Sequence, residues 1–164
     1  MCGVKHRYAL KTSEKRALIK RIAEIFNVNI KEIRGEKIEI AELRENKTLI
    51  IINNKPLFIE VEGNLIPTLI FEDLIKILPR VFVDMGAIPH ICNGADVMAP
   101  GITRVDGRFK EGEIVVVLDE RYGKAIAIAR ALVSSENIKS LKRGKVLKNL
   151  HYVGDSIWKA IKSI

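Results

Sequence analysis

Apolar positions change rhythm several times along the chain, and each change marks an element. Over residues 12–27, Leu18, Ile22, Ile25 and Phe26 recur at helical spacing. Thr12 or Ser13 stands where a cap is needed and Glu14 lies in the first turn, which predicts a helix. From Lys37 the period becomes two. The runs KIEIAEL, TLIII and LFIEVE are separated by turn signals at Glu45-Asn46, Asn53-Asn54-Lys55-Pro56 and Glu62-Gly63-Asn64, so a small antiparallel meander is expected. Helical spacing returns in LIPTLIFEDLIKILPR, with Pro67 at the start, Leu69, Ile70, Leu74, Ile77 and Leu78 on one side, and Pro79 as the stop. A first α/β unit is therefore expected over residues 1–78.

Beyond Pro79 glycine and valine become common. VFVDMGAIPHICNGADVMAPGI reads as strand, turn, short helix, glycine turn and strand, followed by a turn at Asp106-Gly107. EIVVVLDE and KAIAIARALVS form two strands across a loop at Arg121-Tyr122-Gly123, a helical turn covers 134–140, and GKVLKNLHY is a last strand. Gly154-Asp155-Ser156 caps a closing helix, with Trp158 as its expected anchor. Five or six short strands with two small helices over residues 79–164 suggest a partly closed barrel, and the fold class is α+β.

At 164 residues and 48% hydrophobic content, one or two compact domains are the bound. The formal charge of +8 favours a polyanionic partner. Both halves contribute, with 14 basic and 11 acidic residues in the first 78 and 14 and 9 in the rest. Aromatic residues make up only 5%, which argues against coating of single strands by stacking. Cys2, Cys92, His6, His90 and His151 offer no paired zinc spacing, no phosphate-binding loop is present, and neither metal nor cofactor is expected. No run approaches the ~20 apolar residues of a membrane span, and the charged start from Lys5 does not resemble a secretory signal, so a cytoplasmic protein with reduced thiols and no membrane partner is expected.

Lys11, Lys15, Arg16, Lys20 and Arg21 crowd the polar face of the first helix, either as a solvated face or as a second basic surface for RNA or protein. Near the other end, strand spacing puts Arg143 and Lys145 on one face with Leu147 and turns Lys148 away. Gly94 and Gly101 either let a ribose or phosphate approach the backbone or supply positive φ at turns. Asp96 can accept from a 2′-OH or cap backbone. His90 and Cys92 lack the acid that would complete a nucleophilic set, and Asp84, Asp96, Asp106 and Asp119 sit at turns and strand ends, so no catalytic residue is expected.

Several separated pieces agree in order and spacing with a known module: Asp84-x-Gly86-Ala87, the run Asn93 to Gly101, Gly112 before a strand, and His151-Tyr152-x-Gly154-Asp155. From about Val81 to Asp155 the chain resembles the PUA domain, named after pseudouridine synthases and archaeosine transglycosylases. With the preceding α/β unit marked by Pro67-Thr68-Leu69, the whole is similar to the malignant T-cell-amplified sequence family and its archaeal relatives. The resemblance implies a C-terminal PUA pseudobarrel that grips structured RNA, a tRNA acceptor end or rRNA. The implied RNA-binding surface comprises Gly86, Ala87, Ile88, Pro89, Gly94, Ala95, Asp96, Val97, Met98 and Pro100, with Arg143, Gly144, Lys145 and His151 from the far edge. It also implies a non-catalytic role in translation, with the small ribosomal subunit or a translation-factor partner touching the N-terminal unit. An accessory subunit that delivers RNA to a tRNA- or rRNA-modifying enzyme is the alternative.

Overall fold

A computed structural model describes residues 3–29, 33 and 37–164. Cys2 lies outside the described residues. The chain divides into two compact units, Met1–Ile66 with Ile164 and Pro67–Ser163.

In the first unit, strand β1 (His6–Ala9) precedes helix α1 (Thr12–Phe26) and strands β2 (Ile38–Glu42), β3 (Thr48–Ile52), β4 (Lys55–Val61) and β5 (Asn64–Pro67). The sheet order is β1-β2-β3-β4-β5, with antiparallel pairing from β1 through β4. Asn53 and Asn54 both take positive φ, which matches the twist of a two-residue hairpin and lets β3 turn directly into β4. Pro56 belongs to β4 rather than to the turn, at a register irregularity opposite Ile50 and Ile51 where a missing N–H is tolerated. Ile22 and Phe26 of α1 are buried, and the Phe26 and Phe58 rings meet at 5.8 Å. Ile25 is 47% exposed and so is not part of that apolar seam. Neither Thr12 nor Ser13 caps α1, because both already lie inside it; the Glu14 carboxylate accepts the Lys11 N–H at 2.8 Å.

The helix expected from Pro67 to Leu78 shrinks to α2 (Glu72–Ile75), with β5 occupying Asn64–Pro67. The backbone explains the loss. The Leu69 N–H is committed to His151 Nε2 at 3.3 Å, and Phe71 N–H closes a turn on the Thr68 carbonyl, so no helical ladder runs through 67–71.

The second unit carries β6 (Arg80–Val83), α3 (Ile88–Ile91), β7 (Val97–Met98), a single 3-10 turn (Ala99–Gly101), β8 (Ile102–Asp106), β9 (Ile114–Asp119), β10 (Ala125–Ala131), α4 (Ser135–Ile138), β11 (Lys145–Tyr152) and α5 (Ser156–Ser163). Its sheet runs β7-β11-β10-β9-β6-β8, with β6 and β9 parallel and the other pairs antiparallel, the curled arrangement expected of the pseudobarrel. Val81, Val83, Val115, Val117, Ala127, Ala129, Val146 and Leu147 fill its core together with Ile91 of α3. Irregularities in β11 break the simple alternation: Val146 and Leu147 are both buried while Lys145 is exposed, so Lys145 and Leu147 do not share a face.

Ile157, Ala160 and Ile161 anchor α5, whereas Trp158 is only half-buried with the Lys162 ammonium 5.0 Å from its ring centroid. Among the described residues no helix is long and apolar enough to cross a membrane.

Candidate nucleic-acid interface

The turn after β6 begins the site. Asp84 Oδ1 accepts the Ala87 N–H at 2.8 Å, which tightens the turn into α3, and the Asp84 N–H bonds the Gly101 carbonyl at 2.9 Å. Those bonds set the first turn of α3 against the 3-10 turn. Between them and the 95–98 segment lies a cleft of about 470 Å³ lined by Asp84, Ala87, His90, Ile91, Ala95, Asp96, Val97, Met98, Pro100 and Gly101.

The far wall is stitched to β11. Ala99 N–H bonds the Gly144 carbonyl at 2.9 Å, Asp96 Oδ1 accepts the Asn149 N–H at 2.9 Å, and Asn149 Nδ2 donates to the carbonyls of Ile91 and Ala95 at 3.0 Å each. Asn149 therefore holds α3 and the 95–98 wall to the last strand. Asp96 serves backbone, as one of its two readings has it, but that backbone is 53 residues away. Its other oxygen faces the Lys145 ammonium at 3.5 Å, a loose pair on a lysine side chain that is 64% exposed. Lys145 thus stands at the lip of the cleft, and Arg143 and Gly144 are exposed in the turn before it.

The glycines divide differently from either simple reading. Gly94 has φ +96°, and a Cβ there would meet the Tyr152 hydroxyl at 3.3 Å, so this position requires glycine for the turn. Gly101 has no positive φ and a Cβ would touch only the Ala87 methyl at 3.4 Å, so its bareness serves the cleft wall rather than the backbone.

Of the residues the resemblance pointed to, Ala87, Ala95, Asp96, Val97, Met98 and Pro100 line the cleft. Val97 does so while almost fully buried, whereas Met98 is 45% exposed. Gly86, Ile88, Pro89 and Gly94 lie in the flanking turns and helix without lining it.

His151 leaves the set. It has no exposed surface; its Nε2 accepts from Leu69 N–H, so Nδ1 is the protonated nitrogen facing Asp155 Oδ2 at 2.9 Å. Asp155 also accepts from the backbone N–H groups of Tyr152 at 2.9 Å and Trp158 at 2.7 Å, capping α5. Burial alone would raise the Asp155 carboxyl, but the bonds from His151, Trp158 and Tyr152 outweigh it and hold the group below the ordinary carboxylate range. The pair is structural and fastens the start of α5 to β11.

Asp84, His90, Ile91, Gly101 and Asn149 are the site residues absent from the implied surface. On α1, Lys11, Arg16 and Lys20 are exposed, Lys15 is half-buried, and Arg21 reaches Glu60 at 2.6 Å. That basic face belongs to the first unit.

A curled six-stranded sheet with a small-residue cleft between its first helix and the wall fastened to its last strand defines a PUA-domain protein. Residues 79–153 match the PUA domain, and residues 6–77 match a domain of unknown function, DUF1947. An uncharacterized protein of Methanocaldococcus jannaschii is 40% identical over 160 residues, covering 94% of this chain and 96% of that one. Translation machinery-associated protein 20 of Eremothecium gossypii is 31% identical over 165 residues, covering 93% and 91%. The crystal structure of a hypothetical protein from Pyrococcus horikoshii superposes with a TM-score of 0.79 at 35% identity, covering 94% and 98%. The chain belongs to the family that holds translation machinery-associated protein 20 and the malignant T-cell-amplified sequence proteins.

Proposed function

We propose that the protein is a non-catalytic RNA-binding protein of the translation apparatus, which seats a structured RNA, a tRNA acceptor end or rRNA, in the cleft beside α3. The observation that carries this reading is the cleft itself: its walls at Ala87, Ala95, Pro100 and Gly101 carry small side chains, Lys145 stands at the lip beside Asp96, and Arg143 is exposed two residues before it. Asp84 and Asp96 keep phosphates out of the interior, so a ribose or base edge enters while the phosphates stay with the lip cations. Recognition then depends on backbone shape and 2′-OH groups more than on sequence. The small ribosomal subunit or a translation-factor partner is the setting suggested by a relative named for its association with the translation machinery.

Fluorescence anisotropy with labelled tRNA, measured across a salt series, tests the reading. If three or four phosphates are neutralised, affinity falls several-fold per doubling of salt, from a slope of roughly −0.7 to −0.9 per phosphate. The R143E/K145E variant should lose at least about tenfold and flatten the slope. Unchanged binding by that variant refutes the cleft assignment. Copurification of a modification enzyme in place of ribosomal subunits would favour the accessory-subunit alternative.

A further inference from the structure

A second cavity of the Pro67–Ser163 unit plays no part in the RNA reading. It encloses about 430 Å³ between the segment around α2, the outer face of β9 and β10, and α5. Its floor is aliphatic, formed by Leu69, Ile70, Ile75, Leu118 and Ala125, with Trp158 at one side. Lys76, Arg80, Lys124 and Glu72 stand around it, and Arg80 also faces the Asp106 carboxylate at 3.5 Å.

The rim is held firmly. Asp119 accepts the backbone N–H groups of Tyr122 and, at 3.0 Å, Lys124, so the loop carrying Lys124 has a fixed shape. Tyr122 on that loop is 74% exposed, Ile70 is 39% exposed and Ile77, beside Lys76, is 64% exposed. Exposed apolar side chains next to a preformed apolar cavity with a cationic edge mark an interaction surface.

We infer that this cavity docks an acidic segment of a partner protein, a bulky apolar side chain filling the floor and flanking carboxylates meeting Lys76 and Lys124. The floor decides between a peptide and an RNA. It offers five aliphatic side chains and no polar one, and the Trp158 ring beside it already carries Lys162 on its π-system. A bulky apolar residue fits such a floor, and neighbouring Asp or Glu side chains fit the rim.

The test uses the full chain and a random twelve-residue peptide library. Selected peptides should combine a bulky apolar residue with acidic neighbours and should shift the emission of Trp158, the protein's single tryptophan, saturably. The exposed-lysine variant K76E/K124E should weaken them about tenfold, and raised salt should weaken them further. R143E/K145E should leave peptide binding unchanged, which separates failure here from failure of the RNA reading. Selection of no peptide, of peptides without acidic residues, or of peptides indifferent to K76E/K124E overturns the inference. A Trp158 shift produced by an oligoribonucleotide that displaces the peptide also overturns it, in favour of RNA.

Discussion

Replacing Asp155 with alanine removes three bonds at once, those from the Tyr152 N–H, the Trp158 N–H and the protonated His151 Nδ1. Loss of a helix cap costs about 0.5–2 kcal/mol. His151 has no exposed surface, so its orphaned N–H cannot turn to water and adds about 1–3 kcal/mol. D155A should therefore lose about 1.5–5 kcal/mol at neutral pH. Urea unfolding followed through Trp158, three residues along the same helix, reads this directly. The pH dependence has a definite sign. Asp155 is held below its ordinary range when folded, so its contribution is full above the unfolded carboxyl value of about 3.9 and vanishes as pH falls through the folded value. The gap between wild type and D155A should thus be widest near neutrality and close in acid. A loss under about 1 kcal/mol, or a gap that grows as pH drops, would refute the account of the His151–Asp155 fastening.

Three further outcomes are expected. G94A should cost about 1–2 kcal/mol because φ +96° is left-handed, while G101A, with only the Ala87 methyl to touch, should stay within about 0.5 kcal/mol in thermal unfolding. I22A should lose about 2–5 kcal/mol from the core of the first unit, and I25A should be nearly neutral because half of that side chain is already in water. D119A should speed amide exchange in the 120–124 loop at neutral pH; burial would raise this carboxyl, but the N–H groups of Tyr122, Lys124, Arg121 and Gly123 lower it, so the wild-type loop should loosen only in acid.

How far the pattern alone reaches depends on where each element finds its partners. Strands β2 to β4 were legible because KIEIAEL, TLIII and LFIEVE carry their burial in the sequence and the Asn pair carries its turn. Strand β1 was not, because His6–Ala9 is an edge strand exposed along its whole length and has no apolar rhythm. The segment 64–78 has helical spacing but follows a different course, since the Leu69 N–H is taken by a side chain 82 residues away. In the site, Ala87, the wall from Ala95 to Met98, and Pro100 came through the resemblance. Asn149 gave no local sign: its bonds to Ile91, Ala95 and Asp96 span more than fifty residues. His151 was misplaced on the RNA surface because a strand-end histidine looks the same in sequence whether it faces solvent or a buried carboxylate.

The claim that RNA enters the cleft beside α3 is tested most directly by G101E. The position has unstrained backbone, so the variant should match wild type in thermal unfolding while placing a carboxylate on the cleft wall. Titrated against tRNA in dilute buffer, it should bind at least about tenfold more weakly than wild type. A folded G101E protein that retains full affinity would contradict the account.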